Sequence, residues 1–286
     1  GGKIIFEDID KKTFCMIPPK LNSTISVPTY LLGNANGSDN YKKTDFLIED
    51  CCQALGTEIN GKKVGSFGDL SIFSFQETKH ITTLGEGGMI CSNNEELIDI
   101  IAGIRNHAEF YSEKKFLGGN FRMTEIQAAF GIVQLKKIKK ILKLFRHNAQ
   151  FVIKNLPSGI SPPYTPPNVN NSFLVIGCSY NEKEIGTSRE NFLEKLTLNR
   201  NHILKKDKKS DIKGINMKSG KLISTGYSSP LYEIPMYKKF KPKNGCPNAK
   251  RFTETSLWMD IHKFRPRDEI KEELEILTKT INQFKK

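Results

Sequence analysis

Phe46-Leu-Ile-Glu-Asp-Cys-Cys-Gln-Ala-Leu-Gly56 opens with an apolar run that ends in carboxylates. Such a run reads as a buried strand that delivers Asp50 at its C-terminal end. A second apolar run leads into Phe73-Ser-Phe-Gln-Glu-Thr-Lys-His80, where Ser74 closes the strand and Lys79 follows five residues on. Open α/β sheets bind ligands at the carboxyl ends of their strands. An acid, a hydroxyl and an amine delivered there look like the polar half of a cofactor site. Pyridoxal phosphate needs that trio: an amine for the Schiff base, a carboxylate to keep the ring nitrogen protonated, and a hydroxyl for the phosphate. Spacing alone describes an ordinary αβ connection with polar strand ends equally well.

Outward from these runs, short apolar stretches at Lys3–Asp8, Thr24–Tyr30, Phe46–Asp50, Leu70–Phe75 and Gly88–Ser92 alternate with turns or helices. The alternation predicts an α/β fold with a mainly parallel sheet and crossovers. Asn93-Asn94 caps a helix through about Arg105, with Glu95 and Glu96 suited to its positive end. Thr124 opens one long helix toward Gln150. Pro157, Pro162, Pro163, Pro166 and Pro167 then crowd a segment unfit for a helix or central strand. A large domain over 1–155 and a smaller α/β domain over 156–286 follow. In the second, strands are expected near Ser172–Ser179 and Leu222–Thr225, and helices near Ser188–Asn199 and from about Arg267. Residues 202–218, rich in lysine and poor in apolar groups, read as a surface insertion.

The chain of 286 residues is long enough for one or two real cores. It has no run of 18 apolar residues, so no membrane span is expected. Its six cysteines, at 15, 51, 52, 91, 178 and 246, lack the spacing of a zinc or redox site, and no metal is expected. They fit a reducing cytoplasm. The formal net charge of +13 raises the question of a nucleic-acid partner. Lysines cluster only at Lys136-Lys-Ile-Lys-Lys140 and at 205–209. Around the first cluster, Val133, Leu135, Ile138, Ile141, Leu142 and Phe145 mark an amphipathic helix with the lysines on its outer face. Aromatic residues are not interleaved with the basic ones as a single-strand groove requires. The charge is read as a solvated face, with no nucleic-acid partner.

The wording of the motifs goes beyond their spacing. Gly2-Lys-Ile-Ile-Phe-Glu-Asp-Ile-Asp10, Val27 to Gly33, the Asp50 and Lys79 blocks, Gly85-Glu-Gly-Gly88, Asn120-Phe-Arg-Met-Thr-Glu-Ile-Gln-Ala-Ala129 and Thr225-Gly-Tyr-Ser-Ser-Pro-Leu-Tyr232 occur in one order over nearly the whole chain. Together they resemble the DegT/StrS-type family of pyridoxal-phosphate-dependent sugar aminotransferases. The resemblance implies a fold type I transferase, with a large domain of mainly parallel sheet and a smaller C-terminal domain. In that family a further N-terminal segment carries a serine-glycine-threonine turn for the cofactor phosphate and an aromatic residue that stacks on its ring. No counterpart stands in this sequence, so the chain is expected to be N-terminally truncated.

The resemblance also implies roles. Lys79 would form the Schiff base with the cofactor and then shuttle a proton; related dehydratases carry histidine at this position, which favours amino transfer here. Asp50 would pair with the ring nitrogen, Gln53 with the phenolic oxygen, and Ser74 with the phosphate. Asn120 would reach the phosphate in the neighbouring subunit, implying a homodimer with shared sites. His80 is read as a neighbour of Lys79, and Glu86 as part of a tight turn. Arg105, His107 and Arg122 match motifs without a chemical step. Ala108 stands where the family often has glycine. Tyr232 occupies a position where many members place a substrate-contacting histidine, and with Cys246-Pro-Asn-Ala249 and Leu257-Trp258 it leans toward the branch acting on cyclitols.

The expected activity is transfer of an amino group from glutamate or glutamine to a keto-sugar, nucleotide-linked, feeding polysaccharide or secondary-metabolite synthesis. A keto-cyclitol is the alternative substrate. A non-catalytic chain that keeps the fold and dimer surface without binding cofactor productively is the alternative function.

Overall fold

The run ending in Asp50 folds as an inner strand with a parallel neighbour on each side. The computed structural model describes residues 2–19, 23–37, 41, 44–109, 117–206, 223–262 and 265–285. Its elements, in chain order, are β1 (Ser23–Ser26), β2 (Thr44–Asp50), β3 (Glu58–Ile59), β4 (Lys62–Lys63), β5 (Leu70–Ser74), β6 (Gly88–Cys91), α1 (Glu95–Arg105), α2 (Glu125–Lys136) and α3 (Ile138–Lys154). There follow β7 (Ile160–Ser161), β8 (Val169–Asn170), β9 (Val175–Tyr180), α4 (Glu182–Ile185), α5 (Arg189–Lys206), β10 (Ile223–Ser224), α6 (Pro247–Thr255), β11 (Ser256–Asp260) and α7 (Arg267–Asn282).

Two compact units arise. One, the parallel-sheet unit, comprises Cys15–Lys143 and Thr165–Ser172; the other, the antiparallel-sheet unit, comprises Gly1–Phe14, Leu144–Tyr164 and Phe173–Lys286. This differs from a single cut after residue 155. The proline-rich stretch contributes Thr165–Ser172 to the parallel-sheet unit because β8 there pairs with β3, and the division falls inside α3.

In the parallel-sheet unit the strand order is β1-β2-β5-β6, with the first three parallel and β6 antiparallel to β5. β4, β3 and β8 form a small antiparallel sheet. Tyr30, Ala35, Cys51, Ala54, Ile59, Val64 and Val169 make a buried cluster, with Phe67 and Phe73 packed against it. Gly65 is left-handed (φ +88°), and a Cβ there would sit 2.6 Å from the Phe73 ring, so only glycine suits this turn.

In the antiparallel-sheet unit the order is β10-β11-β9-β7. Ile176, Cys178, Leu257 and Met259 are fully covered on its two central strands. Helices α5 and α7 pack on each other, and Tyr180 meets Phe192 of α5 at 5.2 Å between ring centroids.

Two further expectations change in the structure. Residues 3–8 form no strand; Asp8 instead caps α6, its carboxylate accepting the Asn248 and Ala249 N–H groups at 3.1 and 2.9 Å. The long helix from Thr124 is two helices with a break at Lys137 (φ −95°, ψ 1°). The apolar stripe divides with it: Ile141, Leu142 and Phe145 are buried, whereas Val133 and Leu135 are exposed. Of the expected insertion, 207–218 lies outside the described residues.

Candidate active site at the strand ends

Asp50 and Ile72 are register partners on β2 and β5, which puts Asp50 and Ser74 at the same, carboxyl end of adjacent parallel strands. The Cys51 N–H donates to Ile72 O at 2.9 Å, holding the strands together just past Asp50. On the far side, the Tyr30 N–H donates to Asp50 O and the Asp50 N–H to Pro28 O. The Asp50 carboxylate accepts the Cys52 N–H at 3.0 Å and, weakly, the Thr29 hydroxyl at 3.4 Å. It is half-buried and keeps acceptor capacity.

The residue before it behaves otherwise. Glu49 is completely buried. Its Oε1 accepts the N–H groups of Phe67 and Gly68 at 2.6 and 2.7 Å, and its Oε2 accepts the Gly65 N–H and the Tyr30 hydroxyl at 2.7 and 2.9 Å. Four donors satisfy this carboxylate, which has no ion pair among the described residues. Burial and the Glu49 carboxylate push the Tyr30 phenol far above its ordinary range. Glu49 thus ties the turn entering β5 to the strand that carries Asp50. Sequence reading passed over it; the only signal was its place beside Asp50.

Beyond β5, the Ser74 hydroxyl accepts the Gln76 N–H at 3.3 Å, and Gln76 Oε1 accepts both the N–H and the hydroxyl of Thr78. The Lys79 N–H donates to Gln76 O at 2.9 Å. Lys79 is half-buried and, among the described residues, has no ion-pair partner. The loop returns through Thr83 N–H to Phe75 O and Phe75 N–H to Gly87 O. Gly87 is required sterically, since a Cβ there would lie 2.0 Å from Thr83 Oγ1. Glu86 belongs to this turn: its carbonyl accepts the Thr83 hydroxyl at 2.9 Å.

Cys52 reports how near the two charges are. Burial, with the hydrogen bond and charge of Asp50, pushes its thiol up to about 12, against the opposing charge of Lys79. Burial and the Asp50 charge thus disfavour the thiolate that a nucleophilic cysteine needs. Gln53 Oε1 accepts the Leu32 N–H at 2.8 Å, which turns the amide nitrogen the other way.

Asp50, Ser74 and Lys79 are thus brought to one strand edge, with Gln53 one turn past Asp50. Asn120 lies elsewhere in the same unit, exposed and bridged to Asn106 at the end of α1. Arg122 donates to the Asn106 side chain. Tyr232 is in the antiparallel-sheet unit, buried, with its hydroxyl donating to Cys246 O and accepting the Cys246 N–H, both at 3.3 Å. No described helix is long and apolar enough to cross a membrane. No group of three or more His, Cys, Asp or Glu among the described residues is placed to hold a metal ion.

A model of the DegT/DnrJ/EryC1/StrS aminotransferase family matches residues 1–277. The chain belongs to this family. GDP-perosamine synthase from Vibrio cholerae is 30% identical over 215 residues, 74% of this chain and 53% of that enzyme. A UDP-4-amino-4,6-dideoxy-N-acetyl-beta-L-altrosamine transaminase from Campylobacter jejuni is 50% identical over 97 residues, 32% of this chain and 26% of that enzyme. The chain thus spans about half the length of the first of these relatives and a quarter of the second. An aminotransferase from Psychrobacter cryohalolentis superposes with a TM-score of 0.83 at 23% identity, over 100% of this chain and 77% of that one. The GDP-4-keto-6-deoxy-D-mannose-3-dehydratase of E. coli, solved with bound hydrated PLP, gives 0.77 at 22%, over 96% and 74%. These superpositions establish the α/β fold.

Pyridoxal phosphate is the cofactor of this family, and the donor set suits it. Asp50 retains acceptor capacity for a ring N–H, Lys79 offers an amine free of ion pairs among the described residues, and Ser74 offers a hydroxyl at the same edge.

Proposed function

We propose that the protein is a pyridoxal-phosphate-dependent aminotransferase that moves an amino group from glutamate or glutamine onto a nucleotide-linked keto-sugar. The observation that carries the reading is the delivery of Asp50 and of the Ser74–Lys79 segment to the carboxyl ends of two hydrogen-bonded parallel strands. When bound, the cofactor supplies an electron sink and a carbonyl that stores the amino group between two half-reactions. Asp50 would accept the hydrogen of the ring N–H, and Ser74 would donate to the phosphate. Gln53 would turn its Nε2 to the phenolic oxygen. Lys79 Nζ would hold the cofactor carbonyl and, once released by substrate, carry a proton to and from the substrate carbon.

Amino transfer is favoured over dehydration because Lys79 stands at the position where related dehydratases carry histidine. His80 does not take its place: it is buried and its ring faces the Ser172 carbonyl. A keto-sugar is favoured over a keto-cyclitol for two reasons. The Tyr232 hydroxyl is engaged by Cys246, and the relatives reported above carry nucleotide-sugar names. We propose a homodimer in which Asn120 serves the neighbouring site. In support, α2 has no buried residue, and Phe121 and Ile126 near its start are 72% and 73% exposed. Six cysteines without disulfides suit a cytoplasmic setting.

The test is Lys79→Ala, assayed on a panel of nucleotide-linked keto-sugars with glutamate and glutamine as donors. Amino transfer should vanish while circular dichroism stays unchanged. Turnover near that of the unmodified protein would overturn the assignment.

A further inference from the structure

Lys79 is followed by a histidine of 1% exposure. His80 Nε2 lies 3.3 Å from the carbonyl oxygen of Ser172. A carbonyl only accepts, so Nε2 carries the hydrogen in this contact. Ser172 is itself held from several directions. Its N–H donates to Gly33 O at 3.2 Å and to Thr57 Oγ1 at 3.1 Å. Thr57 Oγ1 lies 2.6 Å from Gly33 O and 2.9 Å from Ser172 Oγ. Thr57 and Ser172 are both fully buried.

The cluster has two outlets. Gly33 follows Leu32, a non-glycine residue in the left-handed region (φ 60°), whose N–H meets Gln53 Oε1 at 2.8 Å. His80 is the other outlet, one peptide away from Lys79. Gly33, Thr57, His80 and Ser172 are therefore joined by one buried polar network within the parallel-sheet unit, and the part-buried bond of Gln53 to Leu32 lies one peptide away from it. Before Lys79 the loop is fixed by the hydrogen bond to Gln76 O, and after it by Thr83 N–H to Phe75 O. Between these, the His80 side chain ties the loop to a segment 92 residues on.

We propose that His80 is a positioning residue for Lys79: its bond to the Ser172 carbonyl fixes the backbone from which Nζ is presented, and the same network orients the Gln53 amide. A lysine reaches its target through four rotatable bonds, so the starting point of its Cα decides where Nζ arrives. Displacement of a reacting group by about 1 Å costs on the order of a hundredfold. The proposal rests on Lys79 being the cofactor-binding lysine.

The test compares His80→Asn with His80→Gln in the purified protein. A glutamine amide can place a donor where Nε2 stands, whereas the shorter asparagine cannot. Each protein is incubated with pyridoxal phosphate, the lysine-bound cofactor is fixed by sodium borohydride, and labelled lysines are mapped by peptide mass spectrometry. Thermal unfolding is followed in parallel. His80→Asn should lower the share of label at Lys79 by about tenfold or more, within the cost of misplacement, and shift the pH dependence of the cofactor's visible band. His80→Gln should restore both to within about twofold, far less than a misplaced lysine would lose. Thr57→Val, which strips the hydroxyl that orders Ser172, should give a smaller fall in Lys79 label. Folded His80→Asn with undiminished labelling overturns the proposal, and so does His80→Gln falling as far as His80→Asn. Should His80→Asn fail to fold, undiminished labelling in Thr57→Val overturns it instead. Absence of Lys79 label in the unmodified protein would refute the assignment of Lys79 rather than the role of His80.

Discussion

The two units treat their polar side chains in opposite ways. In the antiparallel-sheet unit they are consumed by structure. Asp8 caps α6, the Tyr232 hydroxyl both gives to and takes from Cys246, Arg265 bridges Asp260 and Glu269, and Arg200 pairs with Glu273 at 2.6 Å. In the parallel-sheet unit the two carboxylates at the end of β2 divide the labour. Glu49 is fully buried under four hydrogen bonds of 2.9 Å or less, whereas Asp50 is half-buried and takes the Cys52 N–H at 3.0 Å, the Thr29 hydroxyl at 3.4 Å and the Cys52 thiol. A polar side chain at a strand end with unspent capacity, beside another fully spent, is what distinguishes a site from a scaffold here.

The contrast breaks most visibly at Asp50. Asp50→Asn removes the charge that keeps a ring nitrogen protonated but leaves an oxygen for the Cys52 N–H. The half-reaction with amino donor should slow by about a hundredfold or more, since each ~1.4 kcal/mol of lost transition-state stabilisation is tenfold, with little change in unfolding temperature. Single-turnover absorbance would check this; unchanged kinetics would mean that Asp50 is scaffold as well.

Glu49→Ala should do the reverse. It strands three N–H groups and a buried phenol, each worth about 1–3 kcal/mol when left unsatisfied. Stability in urea should fall by roughly 3 kcal/mol or more on that basis. A loss below about 1 kcal/mol, the net value of one ordinary hydrogen bond, would mean that water replaces the carboxylate easily and that the turn is not held by it.

Tyr232→Phe sharpens the contrast from the other side. Removing a hydroxyl that serves both polar groups of Cys246 should cost about 1–3 kcal/mol of stability and leave the KM for sugar substrate unchanged. A raised KM with undiminished stability would identify Tyr232 as a substrate contact.

Much of the candidate site was legible because its signals are local. A strand end carrying an acid, and a serine five residues before a lysine, stand within short windows. What escaped depends on distant partners. Glu49 matters only because the turn at 65–68 folds back on β2, and His80 only because Ser172, 92 residues on, offers its carbonyl. The Lys3–Asp8 run has strand-like residues, but a strand is made by pairing, and Asp8 is spent on α6 instead. The break at Lys137 is marked by neither proline nor glycine in its own window, so periodicity ran through it. Ala108, which stands where the family often has glycine, adopts a left-handed φ of 60°.

Glu49 and Asp50 leave β2 on opposite faces, as neighbours on a pleated strand must. That makes this strand a place where the gene can change letters but not length. A deletion that slid the pair by one position would send the aspartate toward the turn at 65–68 and the glutamate toward the open edge, because a one-residue slip reverses every side chain. Both tasks would then fail together, although every residue that performs them was still encoded.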